Sequence, residues 1–194
     1  MKSILISIQP KWVEKICSGE KTIEVRKTRP KIDTPFKCYI YETKCEYKTG
    51  TCIFAYGVEL KRTRKGRGKV IGEFVCDKVY DIKPYFDRPN LLTQYECGWK
   101  HGEEFTCLSF SDFFSYLKED KGYGCHISKL KIYDKPKELS EFYKECNGIC
   151  VDTAKKILCL KTKTLKSFNC DRKILLTRPP QSWCYVEDLG DLDL

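Results

Sequence analysis

Gly19-Glu20-Lys21-Thr22-Ile23-Glu24-Val25-Arg26 is the stretch that decides how the chain folds. A helical pattern ends at Gly19 and a strand pattern begins directly after it. Glycine favours the position just past a helix end, because the left-handed backbone there clashes with a Cβ. From Thr22 the residues alternate. Ile23 and Val25 face one side; Thr22, Glu24 and Arg26 face the other. Lys21 sits at the turn, where a flexible stem can swing over the polar side. The expectation is an ammonium, a carboxylate and a guanidinium converging at the mouth of a β-structure. The plain alternative is a solvent-facing Glu-x-Arg pair, ordinarily a weak salt bridge.

Upstream, Ile4 to Ile8 reads as a first strand. Pro10 suits the first turn of a helix, where its missing N–H removes no bond. Trp12, Val13, Ile16 and Cys17 repeat at helical spacing, which predicts a helix over 11–18. Downstream, strands are expected at 22–27, 38–41 and 52–60. Six Lys or Arg side chains then crowd into residues 61–69, a basic, glycine-containing loop. Val70 to Ile82 is expected as one long strand bent at Gly72. Residues 83–90 read as loop and 91–96 as a helical turn. Ser111 is placed as the N-cap of a helix through Leu117 that buries Phe113, Phe114 and Leu117. His126 to Tyr133 predicts a strand, Leu139 to Tyr143 a helical piece, and Trp183 to Glu187 a last strand. Many short strands with few helices predict an α+β fold, a small β-barrel flanked by short helices. The chain is expected to be a single domain over 1–194, with a Cys- and Lys-rich insertion at about 138–176 that cannot build its own core.

At 194 residues the chain can bury one good core. Hydrophobic residues at 41% and charged residues at 32% fit a globular domain and exclude a disordered chain. The formal net charge of +9 favours a polyanionic partner such as nucleic acid. The apolar run Ile4 to Ile8 is too short for a signal peptide, and no later run approaches the roughly 20 residues of a membrane helix. An intracellular, cytoplasmic protein without membrane contact is therefore expected. Its 13 cysteines are an odd number, which suits free thiols in a reducing compartment. Cys146, Cys150, Cys159 and Cys170 are the candidate thiolate ligands of a structural Zn²⁺ that would hold the insertion together. They lack a tight Cys-x-x-Cys knuckle, so free thiols are the simpler reading. There is no P-loop, no dinucleotide fingerprint and no paired Cys–His or Ser–His pattern.

The opening strand, helix and Gly-x-Lys-x-x-Glu-x-Arg, here Gly19, Lys21, Glu24 and Arg26, resembles the ASCH domain of the PUA-like superfamily. Val70-Ile71-Gly72-Glu73-Phe74 and the segment from His126 to Pro136 are similar to the same family. Arg178 to Val186 resembles the C-terminal end of its phage-type members. The likeness spans most of residues 3–136 and the tail. It implies a pseudo-barrel with a cleft beside the first helix, where RNA or a modified nucleotide binds. Some members remove an acyl group from N4 of cytidine, and another branch cleaves RNA. In the deacylases, a lysine matching Lys21 acts with a threonine at the position held here by Glu24, and a distal glutamate completes the set. A carboxylate cannot replace a hydroxyl nucleophile without a change of mechanism. Glu103 and Glu104 are only loosely in register with the distal acid.

The leading expectation is a protein that binds RNA or a modified nucleotide through a basic cleft. Lys21, Glu24 and Arg26 would line the cleft, and Lys61, Arg62, Arg64, Lys65 and Arg67 would neutralise phosphates. Tyr39, Tyr41, Trp99 and Trp183 are candidates for base stacking, though core packing explains each one singly. The alternative is a metal-independent hydrolase, N4-acylcytidine amidohydrolase-like or a ribonuclease, with Lys21 and Glu24 as catalytic residues. A third reading is a module that meets an acidic protein through its basic surface.

Overall fold

In β1 (Lys2–Ile8), Ile4, Leu5, Ile6 and Ile8 are all buried, so the strand is covered on both faces. That is the pattern of a central strand. The computed structural model describes residues 2–55, 58–82, 105–118, 121–145, 149–153, 156–160 and 173–190. β1 lies parallel to β3 (Phe36–Glu42) and antiparallel to β14 (Trp183–Glu187). With β6 (Val70–Cys76) and β9 (Ser128–Lys137) they form a five-stranded sheet in the order β14-β1-β3-β6-β9.

The period-two alternation sorts this sheet into two cores. Ile4, Ile6, Cys38, Ile40 and Phe74 meet Val13 and Ile16 of helix α1 (Pro10–Cys17) on one face. Leu5, Tyr39, Tyr41 and Val70 meet Phe142, Leu176 and Val186 on the other. Each fully buried aliphatic side chain contributes roughly 1.5–3 kcal/mol. A parallel pair needs a crossover, and α1 with β2 (Ile23–Arg26) lies in the β1-to-β3 connection. β2 itself joins a three-stranded sheet, β2-β8-β7, with β8 (Gly122–His126) and β7 (Val79–Ile82). Val25 and Ile82 of that sheet pack on Leu108 and on Phe113 and Leu117 of α2 (Phe110–Leu117). The described chain is mostly β with few short helices, as the patterning implied.

Several elements differ from expectation for reasons that lie outside local sequence. Residues 52–60 are not one strand followed by a basic loop. They belong to an antiparallel hairpin of β4 (Glu46–Ala55) and β5 (Val58–Lys65), so Lys61, Arg62, Arg64 and Lys65 stand on a strand. The partner strand stabilises this arrangement: Glu46 lies opposite Lys65, with an ion pair at 3.7 Å, a favourable cross-strand contact. Val70 to Ile82 divides at Asp77-Lys78 into strands of two different sheets, and His126 to Tyr133 divides likewise at Ile127. The irregularity at Gly72 is present as a register slip against β9. A Cβ there would come within 2.5 Å of the Lys131 carbonyl oxygen.

α2 is capped by Ser109, not Ser111. The Ser109 hydroxyl accepts from the Asp112 amide at 3.2 Å, and the Asp112 carboxylate accepts from the Ser109 amide at 3.1 Å. This is the reciprocal pattern of a capping box. Phe113 and Leu117 are buried as expected, while the side chain of Phe114 lies outside the described residues. The helical piece expected at 139–143 is a single 3₁₀ turn, Leu139–Glu141.

In the Cys-rich region, β10 (Tyr143–Glu145) pairs with β13 (Lys173–Leu175), and β11 (Ile149–Thr153) with β12 (Lys156–Leu160). Phe142 and Leu176, which flank it, are buried, and the Phe142 ring lies 4.9 Å from that of Tyr39. Cys150 and Cys159 fall opposite one another in the β11–β12 register. Cys146 and Cys170 lie outside the described residues, as do the turn expected at 91–96, Trp99, Glu103 and Glu104. Among the described residues no cluster of His, Cys, Asp or Glu is arranged to hold a metal ion. No described helix is long and apolar enough to cross a membrane.

The tail after β14 is held by a buried charge. Lys37 is 1% exposed, and its Nζ lies 2.8 Å from Asp188 Oδ1. The Tyr39 hydroxyl donates to the same oxygen at 2.8 Å. Burial pushes the Asp188 carboxyl up, but the bonds from Lys37, Gly190 and Tyr39 outweigh it and hold the group below its ordinary value of 3.8. A depressed folded-state value gives stability that is complete above the unfolded value and is lost as pH falls. Asp188→Ala is expected to destabilise by about 3 kcal/mol near neutrality, since it leaves Lys37 buried without a counter-charge. Urea unfolding should show the gap between wild type and variant narrowing as pH drops below 3.8.

Candidate functional site

The helix that precedes the motif ends as its sequence dictates. Ser18 closes α1 and Gly19 follows with φ +78°. A Cβ at Gly19 would meet nothing within 4 Å, so backbone conformation and not space calls for glycine. The chain then runs into β2, whose amides pair with β8. Thr22 is clamped on both sides: its amide donates to the Phe105 carbonyl and its carbonyl accepts from Ile127.

Lys21, Glu24 and Arg26 do converge, and they do so below the surface at 2%, 5% and 8% exposure. The Glu24 carboxylate sits between the two cations. Arg26 Nη2 lies 2.8 Å from Oε1, and Lys21 Nζ lies 3.5 Å from Oε2. Each cation has a second anchor at 2.6 Å, Lys21 on the Thr106 carbonyl and Arg26 on the Ser7 carbonyl. The Nε of Arg26 is buried with no hydrogen-bond partner among the described residues. Lys21 is thus not the swinging turn residue of the sequence reading, because a backbone carbonyl 85 positions away fixes it.

The cluster opens into a cavity of about 420 Å³. Besides the motif, Trp12 of α1, Leu108, and Asp112, Ser115 and Tyr116 of α2 line it, together with Ser7 at the end of β1 and Lys11. Lys11 Nζ lies 4.3 Å from the centroid of the Trp12 ring and Lys21 Nζ lies 5.3 Å from it, cation–π geometry in both cases. Three cations (Lys11, Lys21, Arg26) face two carboxylates (Glu24, Asp112) in the lining. Two cations around the central carboxylate repel a metal ion and suit an anionic or carbonyl-bearing ligand.

Burial pushes the Lys21 ammonium below its ordinary 10.5, and the neighbouring Glu24 offsets only part of that effect. A desolvated lysine beside a carboxylate is the pairing that serves proton transfer.

Among the described side chains of the basic stretch, none lines this cavity. Arg64 is committed to Glu14 at 2.5 Å and to Glu42 at 2.9 Å, Lys65 pairs with Glu46, and Arg67 approaches Glu42 at 3.9 Å. Lys61 and Arg62 lie on β5, with their side chains outside the described residues. Tyr39 and Tyr41 are core residues, and Trp183 donates to Thr28. Thr22 is not in the lining. In the sequence, Trp12 belongs to the apolar face of α1, and Tyr116 and Thr106 carry no site signal. Nothing local marks these residues, because only the packing of α1, α2 and residues 105–108 around β2 makes them neighbours.

Residues 6–147 match the model of the ASCH domain. The chain belongs to the ASCH domain family. ASCH domains fall in the PUA-like superfamily. Among solved structures, this ASCH protein is similar to ASCH from Zymomonas mobilis, at 17% identity and TM-score 0.52, with 95% of this chain and 87% of that one covered. Two point variants of the same bacterial protein match at 18% and 16% identity, with TM-scores of 0.51 and 0.52. They cover 96% and 95% of this chain and 91% and 88% of theirs. At such identities the likeness is one of fold. No curated protein matches the chain.

The depressed Lys21 ammonium makes a test of the geometry. Between its folded value and 10.5 the unfolded chain binds more protons, so Lys21 makes stability rise with pH in that window. Wild type is expected to gain unfolding free energy relative to Lys21→Met as pH is raised toward 10.5. Parallel curves for the two proteins would show that Lys21 is solvated.

Proposed function

We propose that this ASCH protein binds single-stranded RNA or a modified nucleotide in the cleft around Lys21, Glu24 and Arg26. The observation that carries the reading is the buried cation–carboxylate–cation cluster at the base of a cavity walled by Trp12. A base needs three things from a protein: a face to stack on, donors and acceptors for its edge, and positive charge for its phosphate. Trp12 supplies the face. Lys21 donates toward a ring carbonyl, and the spare lone pairs of Glu24 accept from an exocyclic amine. Lys11 and Arg26 supply charge at the cavity. The cavity volume lies within the range of small-ligand sites.

The family's hydrolytic activity is the second reading, and one observation favours it. Lys21 is a desolvated ammonium next to a carboxylate, the arrangement of a general acid–base pair. Against it stands Glu24, which occupies the place of the deacylases' threonine and is engaged by both cations.

Titration of short RNA followed by Trp fluorescence should show binding that weakens linearly on a log–log plot against salt. Trp12→Leu keeps apolar packing but removes the stacking face, and is expected to weaken binding by about 1–3 kcal/mol. Glu24→Gln is expected to shift base preference, with no turnover of N4-acetylcytidine by either protein. Turnover by wild type at about 1 per second or faster, abolished in Glu24→Gln with binding retained, would replace the binding reading with the hydrolytic one.

A further inference from the structure

A second, larger cavity of about 1020 Å³ adjoins the first. Ser7, Gln9, Arg26 and Tyr116 line both, so the two meet along those residues. Its far walls come from parts of the chain the motif does not touch. Leu139 and Ser140 belong to the 3₁₀ turn, Leu175 ends β13, and Thr177, Pro179 and Gln181 belong to the segment before β14. That segment is fixed in place: the Ser7 hydroxyl donates to the Pro180 carbonyl at 2.6 Å and the Ser7 amide to the Ser182 carbonyl at 2.9 Å. The wall mixes flat apolar surface, from Pro179 and from Leu175 at 46% exposure, with hydroxyl and amide groups.

Arg26 stands where the cavities meet. Both of its contacts leave from Nη2, and its Nε is buried without a partner among the described residues. A guanidinium carries more donors than those contacts use. A ligand long enough to occupy both cavities would place its connecting group beside this cation. An anionic linkage is held there more strongly than a neutral one.

We infer that the larger cavity is a subsite for a second nucleoside, joined to the one in the smaller cavity through a phosphodiester that Arg26 holds. The inference rests on the nucleotide reading above and extends it, because it makes the ligand a strand segment and not a free nucleoside. The second base lies against Leu175 and Pro179. The hydroxyls of Ser140 and Thr177 and the Gln181 amide face its sugar and polar edge. The bridging phosphate carries one negative charge, so tighter binding of a dinucleotide than of a doubly charged mononucleotide cannot come from charge alone.

The test uses the full chain and three probes for each of the four common bases in turn. These are the ribonucleoside 3′-monophosphate, the matching dinucleoside monophosphate, and the same dinucleotide with a methylphosphonate bridge. Titration calorimetry is expected to show the dinucleoside monophosphate binding at least about ten-fold tighter than the mononucleotide, the effect of one further stacked base. The uncharged bridge should lose most of that gain. Ser140→Trp and Thr177→Trp fill the second cavity from exposed positions, and should return dinucleotide affinity to the mononucleotide level while leaving mononucleotide affinity unchanged. Arg26→Lys keeps the charge without the fork, and should narrow the difference between the two bridges without abolishing it. Should Arg26→Lys fail to fold, the two cavity-filling variants decide alone. Equal affinity for mononucleotide and dinucleotide, unaltered in the tryptophan variants, overturns the second subsite and leaves the proposed function standing. If no probe binds at millimolar concentration, the nucleotide reading fails and the subsite falls with it.

Discussion

The Glu24 carboxylate, held between Lys21 and Arg26, is the contact on which the neighbouring elements depend. Two buried cations need a counter-charge, and among the described residues Glu24 is the carboxylate that both of them touch. Removing one partner from such a group leaves charge stranded in a poorly solvated place, at a cost of about 3–5 kcal/mol. Because the cations also reach the Ser7 and Thr106 carbonyls, the same carboxylate ties β2 to the end of β1 and to the segment before α2. The stabilising cluster and the cavity-facing cluster are therefore one group of side chains. A ligand that engages them meets groups whose positions are already set, which lowers the ordering cost of binding.

The charge excess of the chain is less concentrated at this cleft than a count of lysines and arginines implies. Arg64 bridges Glu14 on α1 and Glu42 on β3, and the Tyr47 hydroxyl joins the group by donating to Glu14. Glu42 is fully buried and also accepts from the Arg67 amide. This cluster fastens the β4–β5 hairpin to the main sheet. Its cations serve the fold, so the count of 36 lysines and arginines overstates what remains for a polyanion.

What the sequence showed and what it concealed follow from the range of the interactions involved. The Gly19 turn and the shared face of Glu24 and Arg26 depend on backbone conformation and a period of two, both local. The burial of Lys21 depends on Thr106, and no pattern near residue 21 announces it. Residues 61–65 read as a loop because lysines and arginines are poor evidence for a strand, yet pairing with β4 makes them one. The opposite error arose at Val70 to Ile82, where unbroken β-favouring residues hide a passage from one sheet to another. At α2, two serines competed for the cap, and the carboxylate three positions after Ser109 decided between them. The aromatic walls of the cleft come from two helices far apart in sequence, so stacking and core roles look alike until the helices are placed.

The pairing of β1 with β14 sets the order in which the molecule can be completed. Lys2 lies opposite Glu187 and Ile6 opposite Trp183, so β1 receives one of its two neighbours only after every strand between them in the sequence has been made. Until then Ile4 to Ile8 has a bare edge, a template for unwanted pairing. Contacts of such long sequence separation slow folding. The wall of the larger cavity is made of that same late segment, fastened by Ser7. A nascent chain can thus form the Lys21–Glu24–Arg26 cluster before the second cavity exists, and the wider groove is a property of the finished protein alone.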